Sequence, residues 1–249
     1  MKPTPPTGAW RHICPAEDPK SAHAYVGALV FEALWRAGEA LGLRQTWDAA
    51  TGKLYQGLPG KPAAPPATPA RVGAKLLPVP YYSQLDSVTS QALRMCFSSS
   101  CAMLLKFLKP NSLSSSPNAD DEYLRRLDQD FGDTTSADAQ VATLRHFGVQ
   151  ARFSKSLTWA DVDRQLAKGI PVPIGVLHHG PASAPTGGGH WMVVIGRDGT
   201  DLIVHDPAGE LDVIHGGYLG GSGRAVRYSE KNLTPRWRVN GTGGWGILV

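Results

Sequence analysis

Apolar positions repeat with two different periods along this chain, and the change of period divides its second half. MCFSSSCAMLLKFL (95–108), DDEYLRRLDQDFG (120–132), SADAQVATLRHFG (136–148) and TWADVDRQLAKG (158–169) read as helices. The second carries acidic residues in its first turn, where the helix dipole favours them. In the third, Thr135 or Ser136 caps, Val141, Leu144 and Phe147 form the stripe, and Gly148 ends it. The later runs are shorter. PVPIGVL (171–177), HWMVVIG (190–196), DLIVHDP (201–207), ELDVIHG (210–216) and WGILV (245–249) read as strands, as does the earlier ARFSKS (151–156). Helices first and strands after predict an α+β domain, its N-terminal helices packed on an antiparallel sheet.

Upstream the pattern is different. Residues 1–20 are rich in Pro and read as an extended arm. AYVGALV (24–30) reads as a strand, FEALWRAGEALG (31–42) as a helix, and RQTWDAATGKLYQG (44–57) as strand, turn and strand. GLPGKPAAPPATPARVG (57–73) has no periodicity and the composition of a semi-rigid linker. The expected organisation is a small N-terminal α/β module at 1–58, a linker at 59–76 and the main domain at 77–249.

Composition narrows the classes. The hydrophobic share of 42% over 249 residues supports a buried core. Net charge is +4 and the isoelectric point about 9.0. That suits an anionic partner such as a cell wall, but no Lys/Arg block reads as a nucleic-acid site. The N-terminus has no signal-peptide core and no apolar run reaches membrane-spanning length, so the chain is expected to be made in a cytoplasm and not to insert in a membrane. Three cysteines make no disulfide scaffold, and Cys96 and Cys101, five residues apart, have no second Cys/His cluster at zinc spacing. The expectation is no metal and no cofactor.

Cys96 sits where a loop enters a helix. The dipole and free N–H groups there favour a thiolate, the nucleophilic form. Cys101, deeper in the same apolar helix, reads as a small buried hydrophobe. A reactive Cys needs a base and an orienter. His190, after Gly187–Gly189 and at the start of a strand, is the candidate base; its bland alternative is a loop His packed against Trp191. Asp206, at the end of the next strand, is the candidate orienter, or else simply opens an Asp-Pro turn. Gln84 can supply an oxyanion-hole amide. His205 alternates to the opposite face from Asp206. His178 and His179 either edge the cleft or sit in solvent. A metal hydrolase would need His178, His190 and His205 or Asp206 to converge, at a spacing that matches no zinc signature.

The order Gln, Cys, His, Asp is that of papain-type cysteine hydrolases. VPYYSQ, CFSSSCAM, GGGHWMVVIG and LIVHDPAGE, in that order across 78–249, resemble the papain-like bacteriocin-processing cysteine peptidase family in its broader peptidase-like branch. The resemblance implies a papain-like fold, with Cys96 as nucleophile, His190 as base, Asp206 as orienter, and Gln84 with the Cys96 N–H as oxyanion hole. Phe97-Ser98 departs from it, the family commonly having Gly-Pro there. Residues 22–57 are similar to the small N-terminal stalk repeat of copper amine oxidase-like proteins, which implies wall or surface attachment rather than copper chemistry.

Together these give a monomeric cysteine peptidase. The first expected substrate is the peptide of bacterial peptidoglycan, cut by a phage endolysin-type enzyme after release from the cell, with Trp191, Gly189 and His178 lining the substrate groove. The alternatives are a protein-processing protease and a non-catalytic phage structural or binding protein on the same fold. Intact Gln, Cys, His and Asp positions argue against the last.

Overall fold

A computed structural model describes residues 44–48, 53–57 and 76–249. The chain divides into two compact units, Met1–Pro69 and Ala70–Val249. In the first, β1 (Arg44–Asp48) pairs antiparallel with β2 (Lys53–Gly57), Trp47 opposite Leu54, in the predicted strand-turn-strand segment. The expected arm, first strand, helix and linker lie outside the described residues.

The second unit is α+β. Its helices α1 (Cys96–Leu108), α2 (Ala119–Asp130) and α3 (Ala137–His146) come first. Then follow β3 (Arg152–Leu157), α4 (Trp159–Ala167), β4 (Val172–Val176), β5 (His190–Asp198) and β6 (Asp201–His205). The chain ends with β7 (Glu210–Leu211), β8 (Tyr218–Gly220), β9 (Val226–Ser229), α5 (Glu230–Trp237) and β10 (Gly244–Leu248). Six strands form one antiparallel sheet in the order β3-β10-β4-β5-β6-β9, and β7 and β8 form a separate ribbon.

Both sheet faces are covered. On β5, Trp191, Val193 and Ile195 pack with Phe97, Cys101, Met103, Leu104 and Leu105 of α1 and with Tyr123, Leu127 and Leu144 of α2 and α3. Met192 and Val194 point the other way, against Val162 of α4 and Leu233 and Trp237 of α5. The polar triplet Ser98–Ser100 looks wrong for a buried helix. Two of its hydroxyls are paired: Ser98 with Thr134 at 2.7 Å and with the Gln140 amide at 2.9 Å, and Ser99 with Asp120 at 2.6 Å. These bonds tie α1 to its neighbours by contacts with directional requirements.

One predicted strand is shorter than expected. ELDVIHG is a strand only at Glu210–Leu211, because the Asp212 carboxylate accepts from the N–H groups of Ile214 and His215, both at 2.9 Å, and so turns the chain. LLPVPYYSQ runs without ladder pairing and ends in a 3-10 turn at Gln84–Asp86. Helix α5 forms despite Pro235; Ser229 caps it, and Trp237 stacks on Trp159 with ring centroids 3.9 Å apart.

Candidate active site

Cys96 is the first residue of α1, and Met95 at the cap offers no side-chain acceptor, so the first-turn N–H groups are left unused by side chains. The thiol is half-buried and opens onto a cleft of about 550 Å³. The cleft is also lined by Gln84, His178, Gly187–Gly189, His190 and Tyr218. Cys101 lies fully buried in the core, where burial pushes its thiol well up.

His190 opens β5, and Asp206 follows the last residue of β6. Their side chains meet, His190 Nε2 lying 2.6 Å from Asp206 Oδ1, with both residues almost fully buried. The same imidazole also interacts with the Cys96 thiol. With Nε2 given to the carboxylate, Nδ1 is the nitrogen left for Cys96. Burial acts to lower the imidazole's proton affinity, but the charge and hydrogen bond of Asp206, helped by Cys96, outweigh it and hold His190 well above its usual range. The linked stability is fully present below the unfolded imidazole value near ~6.5 and is lost as pH rises through the higher folded value.

Asp206 is held on every side. Tyr228 donates its hydroxyl to Oδ2 at 3.0 Å, and the Ala208 N–H donates to Oδ1 at 3.1 Å. The Tyr228 oxygen accepts from the Leu211 N–H at 2.7 Å. The segment carrying VPYYSQ is laid against the same strand end. Tyr81 donates to the Asp206 carbonyl at 3.2 Å and the Gln84 N–H to the Pro207 carbonyl at 3.0 Å. His205 completes this seam. Its Nδ1 accepts from the Ala225 N–H at 2.9 Å, so Nε2 carries the proton and donates to the Val79 carbonyl at 3.0 Å. Burial lowers it to about 4, which keeps it neutral and structural. Among the described residues no group of three or more His, Cys, Asp or Glu side chains is placed to hold a metal.

Gln84 is buried and donates Nε2 to the Ala92 carbonyl at 2.8 Å, which uses one amide hydrogen and leaves the other. Trp191 lines the cleft but is mostly buried. It stacks on Phe97 with ring centroids 3.5 Å apart and planes 3° from parallel, and lies across Gly175, where a Cβ would come within 3.0 Å of the indole. Phe97 follows Cys96 and Trp191 follows His190. The stack therefore fastens the start of α1 to the start of β5, and Phe97 fills the place where the resemblance expected Gly-Pro.

His178 is half-buried in the cleft wall, while His179 beside it is exposed. Their rings are 3.9 Å apart, and His178 lies 6.0 Å from His190. Burial, then the neighbouring His179 and His190, lower His178 to about 4. The loop carrying them is fixed by Arg236, whose guanidinium donates to the carbonyls of Val213, Leu177, His179 and Gly180 at 2.6–3.1 Å. Nothing in LTPRW announces this role. Arg236→Ala removes a donor from each of these four carbonyls, the His179 one keeping the Thr186 N–H at 2.9 Å, and should destabilise the domain by about 3–5 kcal/mol in urea denaturation; Arg236→Lys, lacking the planar fork, should recover less than half of that.

Tyr218, Tyr228 and Arg236 were not legible as site residues, because each acts through contacts distant in sequence. The model of the Peptidase C39-like family matches residues 76–215, which include Gln84, Cys96, His190 and Asp206 and stop short of those three. A solved structure assigned as a C39-like peptidase, from Bacillus anthracis, is similar over 70% of this chain and 96% of its own, with 15% identity and a TM-score of 0.48. No curated protein matches the chain.

Proposed function

The chain belongs to the Peptidase C39-like family, and from that premise we propose that it is a cysteine peptidase working through Cys96, His190 and Asp206. The observation that carries this is the buried 2.6 Å contact of His190 with Asp206 while Cys96 faces both the same imidazole and an open cleft. His190 takes the Cys96 thiol proton, the sulfur attacks the scissile carbonyl carbon, and the C=O electron pair moves to oxygen. The second Gln84 amide hydrogen and the Cys96 N–H receive that oxyanion. As the C–N bond breaks, His190 protonates the leaving amine and a thioester remains. Water, deprotonated by His190, then attacks the thioester carbon; the C–S bond breaks, the carboxylic acid product leaves, and His190 hands the proton back to the Cys96 sulfur. Asp206 fixes the ring so that one nitrogen is always aimed at sulfur.

For the substrate we propose an extended peptide, first of all the stem peptide of bacterial peptidoglycan, as in an endolysin-type enzyme. Two features support it: the basic net charge of +4, and a groove bordered by Gly187–Gly189, with no side chains to obstruct a stem of unusual configuration. His178 and Gly189 would border that stem, and Trp191 would floor it. A protein substrate is favoured by one other observation. Leu85 and Leu93, at 55% and 87% exposure, stand on the rim of the cleft as apolar contacts. Among the described residues no helix is long and apolar enough to cross a membrane.

Mass spectrometry of digested peptidoglycan decides between them. New free amines on stem peptides with intact glycan are the expected result. New reducing ends would mean a glycosidase. Intact wall, with cleavage of an unstructured protein such as casein, would move the substrate to the processing reading. No cleavage of either by a folded, thiol-reactive protein would leave the non-catalytic one.

A further inference from the structure

His190 and Asp206 are 3% and 0% exposed, yet they stand beside a cleft wide enough for a peptide. Something must cover them. Behind Asp206 lie Tyr228 and the Ala208 N–H. In front of His190 lies Cys96, and His178 flanks it at 6.0 Å. Tyr218 also stands against it from the cleft, its ring at right angles to the imidazole, centroids 5.6 Å apart and planes at 88°. Tyr218 is itself 40% exposed, so it meets the solvent that His190 does not.

The ring is held there by the ribbon that carries it. Tyr218 of β8 pairs with Leu211 of β7, and the Leu211 N–H donates to the same Tyr228 oxygen whose hydrogen goes to Asp206. On the other side the Gly217 N–H donates to the His178 carbonyl at 2.7 Å. One end of the ribbon is thus fastened to the acid and the other to the wall beside the base. Tyr218 also lies beyond the family-matched stretch, which ends at residue 215.

We infer that Tyr218 is a positioning residue for the peptidase reaction: its ring closes the solvent side of the His190–Asp206 pair while leaving the Cys96 sulfur open to the cleft. The inference rests on the reading of Cys96, His190 and Asp206 as the reactive set. Its physical basis is dielectric. An ion pair weakens severalfold when water replaces protein beside it, and the attraction of Asp206 is what overcomes burial at His190. The other groups facing His190 do not replace that attraction. Cys96 adds to it, His178 is neutral, and Tyr218 stays un-ionised because burial and the charges of Asp206 and Cys96 raise its hydroxyl. An aromatic edge there excludes water without adding charge.

The test is the titration of the His190 ring by NMR in the full chain, with the pH dependence of peptide hydrolysis beside it. Tyr218→Ala should move the His190 titration down toward the ordinary imidazole range. Its activity at about pH 9 relative to about pH 7 should fall about tenfold below the same ratio for the parent. Tyr218→Phe, which keeps the ring, should titrate as the parent does, and Tyr218→Leu should fall between the two. An alanine variant that titrates like the parent would overturn the inference, as would a phenylalanine variant shifted as far as alanine. If the parent cleaves no peptide, the proposed activity fails, and the NMR titration still decides what Tyr218 does.

Discussion

Replacing Cys96 by alanine abolishes peptide hydrolysis, while replacing Cys101 by alanine leaves a working enzyme of lower stability. The first loss should reach roughly 10⁴- to 10⁶-fold, because the covalent route disappears and only binding and oxyanion stabilisation remain. Cys101 is five residues further along α1 and has 0% exposure. Trimming its sulfur leaves a small cavity worth about 1–2 kcal/mol in a fluorescence-monitored denaturation curve. The two thiols should also separate chemically. Iodoacetamide on the folded parent should label Cys96 and spare Cys101, as peptide mapping will show. A folded Cys101 variant without activity, beside an active Cys96 variant, would invert the assignment.

Cys96 stood out as a candidate on two grounds: a loop gives way to an apolar helix there, and the resemblance carried by CFSSSCAM implies the nucleophile at that position. His190 and Asp206 were legible for a similar reason. Each stands at the end of a run whose alternation marks it as a strand, and strand ends open onto clefts. What surrounds them was not legible. Tyr228 lies 22 residues beyond Asp206, and the bond between them exists only because β9 pairs with β6. Arg236 looks like one more basic residue near a helix C-terminus, and its burial among four carbonyls follows from the packing of α5 under the His178 loop. The Phe97–Trp191 stack joins two positions 94 residues apart, so the meaning of an aromatic after the cysteine could not be read locally.

The fold divides in the same way. Periodicity gave α1–α4 and the central strands, whose burial is set by their own side chains. The order of the sheet was not in that pattern. β10 enters between β3 and β4, and only the completed domain shows why the last strand belongs there. Strands β8 and β9 are short, and β8 is exposed throughout, so neither leaves a clear hydrophobic signature. They nevertheless place Tyr218 and Tyr228. The elements weakest in sequence signal are thus the ones that supply the cover and the support of the acid.

Replacing Asp206 by asparagine separates the two things the carboxylate does. Its Oδ1 receives His190 and the fixed Ala208 N–H, while Oδ2 receives the rotatable Tyr228 hydroxyl. An asparagine should therefore put its oxygen toward His190 and its NH₂ toward Tyr228, whose hydroxyl can turn away. Orientation of the imidazole is then largely kept, and the negative charge is lost. Without that charge, burial is the largest influence left on His190 and acts to lower it. The ring should become neutral at a pH below the ordinary imidazole value of about 6.5, and the alkaline limb of the rate profile should move down with it. The expected fall in kcat near neutral pH is roughly 10²- to 10⁴-fold, with KM little changed, since the carboxylate is buried away from substrate. Asp206→Ala should lose both orientation and charge, and should also unfold more easily because it orphans the Tyr228 hydroxyl and the Ala208 N–H. If Asp206→Asn keeps the parent's alkaline limb and rate, the raised imidazole owes nothing to this carboxylate. Another group would then have to orient His190, although no other acid shares its buried contact at 2.6 Å among the described residues.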